Sequence, residues 1–244
     1  MDIRILIVNL NNKDYTKNCV NNLLSQTHSN FKITIVDQNS SEEGTHQVLE
    51  ELTDSRIEIV RNPENRPLNH VWNWFYQTYT DEILCFLNND VIITDNFVSD
   101  TIEVFSKEPN VGVVVHSTNH ENHTVKKPTL EYTVVERGKF MQGWDFSIRR
   151  NLFTLIPEQI KTYCGDDFLY HMLYQKGYDM AYITSSPMIH FEGQSKKFMK
   201  TSGVEDIHTY IRMGFPHYLK INPELNQKIF LFLTPVLMCL IWKL

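Results

Sequence analysis

Residues 1–37 read MDIRILIVNLNNKDYTKNCVNNLLSQTHSNFKITIVD, and this stretch predicts the fold. Ile3–Leu10 is an apolar run, as expected of a strand that is buried on both faces. Val20, Leu23 and Leu24 then lie at helical spacing, and Phe31–Asp37 is a second strand. A strand, a helix and a second strand in this order form a right-handed crossover between parallel strands.

The same alternation continues to residue 116. Further strands are predicted at Arg56–Arg61, Ile83–Leu87 and Val111–His116, and helices near His46–Leu52, Asn69–Tyr79 and Asp95–Lys107. Short strands that alternate with helices predict an α/β fold, with a Rossmann-like, mostly parallel central sheet flanked by helices.

After His116 the pattern is less regular. A polar loop or loose hairpin over Ser117–Thr133 is followed by a helix at Asp166–Lys176, a strand at Tyr178–Ile183, a loop at Ser185–Lys200 and a C-terminal helical tail. We therefore divide the chain into residues 1–116, 117–200 and 201–244.

Composition excludes several classes of protein. The chain has 244 residues with 23 basic and 29 acidic side chains, and a net charge of −6 argues against nucleic acid as a partner. Four dispersed cysteines without a CxxC pair argue against a disulfide scaffold or a zinc finger and indicate a reducing compartment. The N-terminal residues lack the features of a signal peptide, so a cytoplasmic location is expected.

No glycine-rich phosphate loop follows the first strand, which disfavours a dinucleotide dehydrogenase or a P-loop enzyme.

Polar side chains follow the predicted strands at their carboxyl ends, where ligands bind in parallel α/β sheets. These candidates are Asn9, Asn11, Asp37, Asn62, Asn65, Asn88, Asn89 and Asp90. Asp37 either forms a turn or provides a carboxylate that binds the ribose or base of a nucleotide. Asp90, after two asparagines, suits either a turn or an oxygen site for Mn²⁺ or Mg²⁺.

Two further positions can carry chemistry. His190, in PMIHFEGQS, is either structural or a nitrogen ligand to Mn²⁺. Asp166 and Asp167 open a predicted helix, where acids complement the helix dipole and where a general base can stand at the edge of a cleft. Successive helical residues point about 100° apart, so only one of the two can face an acceptor. The dipole is expected to lower the pKa of Asp166 and keep it ionised at neutral pH.

In the order in which they occur, several segments resemble one known family. These segments are RILIVNLNN, FKITIVDQNSSEEG, VRNPENRPLNHVWN, ILCFLNNDVIITDNF, GWDFSIRR, GDDFLYHMLYQKGY and PMIHFEGQS. Together they resemble the GT-A-fold glycosyltransferases of family 2, most closely the rhamnosyltransferase-like branch. The resemblance implies an inverting transfer from a nucleoside-diphosphate sugar to a hydroxyl of a glycan or lipid-linked acceptor, assisted by Mn²⁺ or Mg²⁺.

The resemblance also implies roles for individual residues. Nucleotide-sugar binding falls to Asn9, Asn11, Asp37, Asn62, Asn65, Asn88, Asn89 and Arg150, metal binding to Asp90 and His190, and the catalytic base to Asp166 with Asp167 as the alternate. Residues 1–116 would then bind the donor and residues 117–200 the acceptor. The chain departs from the family at Asn88 and Gly165, where acids are usual, and at Pro67, where glycine is usual.

Three questions stay open at this stage. A nucleotidyltransferase shares the core and the use of metal, and a catalytically silent sugar-nucleotide or glycan-binding module would be consistent with Asn88 and Gly165. The apolar segment at 229–242 is too short for a full transmembrane helix, because 14 residues at about 1.5 Å rise span about 21 Å. It is expected to pack on the domain, to self-associate, or to contact a membrane peripherally at the cytoplasmic face.

Overall fold

A computed structural model describes residues 1–118, 129–135, 142–191 and 203–215. The strands are β1 (Ile3–Asn9), β2 (Phe31–Asp37), β3 (Ile57–Arg61), β4 (Ile83–Leu87), β5 (Val91–Ile92), β6 (Val111–Thr118), β7 (Tyr132–Val135), β8 (Asp145–Arg149) and β9 (Asp179–His190). The helices are α1 (Lys13–Leu24), α2 (Thr45–Glu50), α3 (Leu68–Thr78), α4 (Phe97–Lys107), α5 (Gly165–Gln175) and α6 (Gly203–Arg212).

One mixed sheet connects all of these strands, and its first four run parallel. The order is β3-β2-β1-β4-β8-β6-β9-β5, with β7 paired to β9. Strands β3, β2, β1 and β4 are parallel neighbours, whereas β8 lies antiparallel between β4 and β6. The α/β architecture with a central sheet is thus confirmed, and the parallel half of the sheet is the half that contains Asn9 and Asp37.

Helices cover both faces of the sheet, because the buried strands are apolar on both sides. On one face, Ile5 and Ile7 of β1 belong to a core with side chains of α1, α2 and α4. On the other face, Leu6 belongs to a core with side chains of α3, α5 and α6. The alternation along β1 therefore assigns successive side chains to two different helical layers.

Strand β9 corrects the sequence prediction, which placed a loop from Ser185 onward. The strand continues to His190, because Met188 pairs with Thr118 of β6 and His190 pairs with Val91 of β5. These long-range pairings outweigh the local turn preference of Ser185, Ser186 and Pro187. The extension is important for the site, since it brings His190 to the residues that follow β4.

Part of the predicted organisation stays a prediction. Strand β6 crosses the proposed boundary at residue 116 and pairs with β8 and β9. The apolar 229–242 segment lies outside the described residues. In the ranges that the structure does describe, no helix has the length and apolar character needed to cross a membrane.

Candidate active site

The parallel register brings Asn9 and Asp37 side by side at the carboxyl ends of β1 and β2. Asp37 is 1% exposed, and its Oδ1 accepts hydrogen bonds from Asn9 Nδ2 at 2.7 Å and Ser40 Oγ at 2.5 Å. The amide of Ser40 donates to Oδ2 at 3.3 Å, and His46 Nε2 lies 3.5 Å from the same oxygen. Asp37 is therefore held in one orientation by the protein, and the contacts of Oδ2 are longer than those of Oδ1.

A buried polar chain connects this pair to the end of β4. Asn9 Oδ1 accepts from the Thr16 hydroxyl at 2.7 Å, and that hydroxyl accepts from Asn89 Nδ2 at 2.9 Å. Thr16 is fully buried and Asn89 is 4% exposed. Helix α1 thus joins the predicted nucleotide residues to the Asn88–Asp90 segment through one hydroxyl group.

Two of the predicted site residues, Asn11 and Asn62, hold the loops at this edge of the sheet. Asn11 has a left-handed backbone with φ of 57°, and its Oδ1 accepts from the amides of Ser41 and Glu42 at 2.8 and 2.9 Å. Asn62 donates through Nδ2 to Gln38 Oε1 at 2.7 Å. Asn65 is exposed on the loop that follows. Asn11 and Asn62 therefore shape the edge through contacts with the protein itself.

Asp90 and His190 converge after β4. His190 Nε2 lies 3.3 Å from Asp90 Oδ1 and also 3.3 Å from Asn88 Nδ2. The Asp90 residue is 3% exposed, and the His190 side chain is 10% exposed. The backbone supports the arrangement, because the Phe191 amide donates to the Asp90 carbonyl at 2.9 Å.

The pair fits a divalent cation that shares its coordination with a phosphate ligand. Within the described residues there is no group of three or more His, Cys, Asp and Glu side chains that could hold a metal alone. One carboxylate oxygen and one imidazole nitrogen at this separation offer two ligands, and Mg²⁺ or Mn²⁺ ordinarily takes further ligands from phosphates and water. Asn88 supplies an amide at the position where the family resemblance implies an acid.

The candidate base contacts the segment that leads back to this pair. A Cβ atom built on Gly143 would lie only 2.5 Å from Asp166 Oδ2, so the carboxylate rests against the Gly143 backbone. The next residue, Trp144, stacks on the His190 ring with centroids 5.3 Å apart. Its carbonyl also accepts from the Asn88 amide at 2.9 Å. Asp166 and His190 therefore contact two adjacent residues, Gly143 and Trp144.

Asp166 and Asp167 have different environments. Asp166 is half-buried, whereas Asp167 is 3% exposed. Burial raises the pKa of Asp166, which corrects the expectation that the helix dipole lowers it. Burial, and secondly the nearby Asp166 charge, raise the pKa of Asp167 well above its ordinary value. The desolvation cost exceeds the dipole contribution, which is worth about 0.3–1 kcal/mol at exposed sites.

Arg150 does not lie with the other candidates. Strand β8 runs antiparallel to β4, so Arg149 pairs with Ile83 at the beginning of β4 and Arg150 follows at that opposite edge. Its guanidinium donates to the carbonyls of Tyr79 and Tyr76 at 2.7 and 3.2 Å and lies over the Tyr76 ring. Arg150 is therefore not among the residues gathered at the carboxyl ends of β1, β2 and β4, and its contact with the acceptor or diphosphate stays a prediction.

Several residues at the site were missed by sequence reasoning. Ser40 had a local signal, because aspartate and serine are both frequent in turns and Ser40 is three residues after Asp37. Thr16, Gln38 and Trp144 had no such signal, since each has a partner that is distant in the chain: Asn89, Asn62 and His190 respectively.

The sequence matches the family model described as glycosyl transferase family 2 over residues 4–173. The match covers more than half of the chain, and the chain belongs to this family. The rhamnosyltransferase-like branch stays a prediction.

Curated relatives share part of the chain. An uncharacterized glycosyltransferase from Nostoc sp. is 29% identical over 118 residues, which cover 48% of this chain and 36% of that protein. The O-antigen biosynthesis protein RfbC of Myxococcus xanthus is 30% identical over 115 residues, 46% of this chain and 9% of that protein. This chain therefore spans well under half the length of these two relatives.

Solved structures show the same fold. TarS 1–349 of S. aureus in complex with UDP-GlcNAc aligns over 91% of this chain and 68% of its own, with a TM-score of 0.68 and 15% identity. A mannosyltransferase from Pyrobaculum calidifontis in complex with GDP-Man and Mn²⁺ aligns over 94% of this chain and 69% of its own, with a TM-score of 0.62 and 16% identity. At such identities the likeness establishes the fold, which is the GT-A fold.

Proposed function

We propose that the protein is an inverting glycosyltransferase that moves a sugar from a nucleoside-diphosphate sugar to a hydroxyl of a glycan or lipid-linked acceptor, with Mn²⁺ or Mg²⁺ bound. One observation carries the proposal. The half-buried Asp166 carboxylate and the Asp90–His190 pair contact adjacent residues, Gly143 and Trp144. A base and a diphosphate site at such proximity are what a direct displacement at an anomeric carbon requires.

The chemistry follows from these positions. Asp166 accepts the proton of the acceptor hydroxyl, and the acceptor oxygen bonds to the anomeric carbon from the side opposite the nucleotide. The bond from that carbon to the diphosphate oxygen breaks, so the configuration inverts without a covalent enzyme intermediate. A divalent cation held by Asp90 and His190 would supply positive charge to the departing diphosphate.

The remaining candidates bind the nucleotide in this proposal. Asp37 Oδ2, whose contacts with the protein are the longer ones, accepts a hydrogen bond from the ribose or base, and Asn9 holds the carboxylate in place. Asn88 and Asn89 line the diphosphate end, and Asn65 extends from the loop after β3. UDP-GlcNAc and GDP-Man bound to structural neighbours support a donor of this class.

A donor panel tests the proposal. The full chain is incubated with Mn²⁺ and separately with UDP-GlcNAc, GDP-mannose and other nucleoside-diphosphate sugars, and release of the nucleoside diphosphate is measured. We expect metal-dependent release from one donor, with water as a slow acceptor, and loss of that release in Asp90→Ala.

The same panel distinguishes the alternatives. Binding of a donor with no release by the wild-type chain would indicate the catalytically silent module that Asn88 favours. Formation of pyrophosphate from a sugar phosphate and a nucleoside triphosphate would indicate a nucleotidyltransferase. Self-association, membrane contact through 229–242 and a cytoplasmic location stay predictions of the sequence.

A further inference from the structure

The loop before α5 is held by a buried carboxylate from the last described helix. Asp206 of α6 is 3% exposed. Its Oδ1 accepts from the amide of Lys161 at 3.0 Å, and its Oδ2 from the amides of Thr162 and Tyr163 at 2.7 and 2.9 Å. One side chain thus satisfies three consecutive backbone donors, and charged acceptors make hydrogen bonds about twice as strong as neutral ones.

Asn69 of α3 holds the same loop from a second side. Its backbone amide donates to the Lys161 carbonyl at 2.9 Å, and its Nδ2 donates to the carbonyls of Ile160 and Tyr163 at 3.0 and 3.3 Å. Asn69 is fully buried. Asp206 therefore binds three amides of the 160–163 loop while Asn69 binds three of its carbonyls, so the two residues supply partners for most of its backbone polar groups.

The beginning of α5 is fitted against Asn69. A Cβ atom on Gly165 would lie 2.1 Å from Asn69 Oδ1, so the helix can approach only because residue 165 is glycine. This contact also explains the departure from the family at Gly165, since the Asn69 amide occupies the space of a side chain there. Cys164, between the loop and Gly165, has a left-handed backbone with φ of 61°, a conformation that non-glycine residues keep only when their surroundings enforce it.

We propose that Asp206 and Asn69 are positioning residues that fix the beginning of α5 and thereby aim Asp166. The inference rests on the proposed function, because it assigns Asp166 the role of base. Asp166 follows Gly165 directly, and its carboxylate rests against Gly143. Asp206 and Asn69 themselves act through the loop and the helix. A displacement of about 1 Å at a reacting group can cost about 10²-fold in rate, so an anchor outside the reacting atoms has a large effect.

Asp206→Asn tests the role, because it keeps the shape and replaces one acceptor oxygen by an amide that repels a backbone N–H. We expect the donor-dependent release of nucleotide to fall about 10–100-fold. Calorimetric binding of UDP with Mn²⁺ should keep its affinity and stoichiometry. Glu205→Gln is the matched control: it makes the same change of charge on the preceding, exposed residue of α6, and it should keep the wild-type rate.

Two further measurements separate positioning from loss of structure. In the Asp166→Asn background, adding Asp206→Asn should cause no further loss of rate, because residues that act through one group are not additive. Peptide-resolved hydrogen exchange in Asp206→Asn should accelerate over residues 160–168 and stay unchanged in β1 and β2. If Asp206→Asn does not fold, Asn69→Ser provides the same comparison from the α3 side.

The outcomes distinguish this inference from the proposed function. A wild-type rate in Asp206→Asn, unchanged exchange over 160–168, or an additional loss in the Asp166→Asn background would each overturn the positioning role. Absence of nucleotide release by the wild-type chain from every donor would instead overturn the proposed function, and the positioning role would fall with it.

Discussion

Asp166 and Asp167 show how neighbouring identical residues acquire different chemistry. Asp166 is half-buried against Gly143, while Asp167 is 3% exposed and lies close to the Cys164 side chain. A general base has to reach its substrate, and of the two only Asp166 is partly exposed. The two aspartates are consecutive in sequence, so what distinguishes them as candidate bases is the direction in which each side chain points from the helix.

Replacement of each aspartate by asparagine tests this assignment. Asp166→Asn keeps the shape and removes the basicity, so turnover should fall about 10²–10⁴-fold with little change in donor affinity. Asp167→Asn should lose much less. The measurement is the initial rate of nucleotide release at saturating donor. An inactive Asp167→Asn beside an active Asp166→Asn would reverse the assignment, and two active variants would place the base elsewhere.

The dependence of the rate on pH should report the raised pKa of Asp166. Burial raises this pKa, and the base is active when deprotonated, so activity should fall as the pH decreases through a value above the ordinary aspartate value of about 3.9. The acidic limb of the kcat profile, measured between pH 4 and 8 in steps of about 0.5, provides the check. Asp167, whose pKa is raised by burial and secondly by the Asp166 charge, is not the proposed base, so Asp167→Asn should leave the limb in place. A limb at or below the ordinary aspartate value would contradict the buried environment of Asp166.

Between secondary-structure elements, the contact of α3 with α5 is sterically tight. Gly165 is the first residue of α5, and alanine has a higher intrinsic helix propensity than glycine. Here the Cβ atom would lie 2.1 Å from Asn69 Oδ1. Asn69 cannot turn away without losing its hydrogen bonds to Ile160 and Tyr163. The packing of α3 against α5 therefore requires glycine at position 165, although helix propensity would favour alanine.

Gly165→Ala should destabilise the protein by about 1–3 kcal/mol, the usual cost of overpacking, despite the better helix propensity of alanine. The check is the free energy of unfolding from urea titration. Asn69→Ala in the same chain removes the obstructing amide, so the double variant should lose less than the sum of the two single variants. Additive losses would show that the amide is not the obstruction.

In the whole molecule, the candidate site combines residues from the two halves of the sheet. Most of the donor-binding candidates lie at the ends of the parallel strands, and the other site residues come from β9 and from the segment before β8. Asn9 and Asp37 end β1 and β2, and Asp90 follows β4. Strand β1 lies between β2 and β4, while His190 comes from β9, which pairs with β5. Trp144 and Gly143 precede β8, which pairs with β4. The site thus requires both halves of the sheet, and ligand binding should be coupled to the stability of the whole domain.

Thermal unfolding should report that coupling. A ligand that binds only the folded state stabilises it by about 2.7 kcal/mol at 100 times its Kd, so UDP together with Mn²⁺ should raise Tm more than either alone. The comparison is made by differential scanning fluorimetry on the wild-type chain and on Asp90→Ala. The variant should keep its Tm without ligand and lose the joint effect. An equal joint effect in Asp90→Ala would exclude this carboxylate as the metal ligand.

Local patterns in the chain were sufficient for the fold class and for much of the candidate site. Apolar runs and helical spacing depend on neighbours within a few residues, and they predicted the parallel strands correctly. Because parallel strands place their carboxyl ends at one edge, the same patterns predicted that Asn9, Asp37 and Asp90 come together. These inferences need only sequence distance and the geometry of a strand.

Other features depended on which distant segments meet. Strand β9 continues to His190 because His190 pairs with Val91 of β5. Arg150 lies at the opposite edge of the sheet because β8 runs antiparallel to β4. Asp206 binds amides about 45 residues earlier in the chain, and the raised pKa of Asp166 comes from burial by the surrounding protein. Strand direction, burial and long-range hydrogen bonds are properties of the assembled core, whose partners are selected by packing across the whole chain, so no local pattern of residues specifies them.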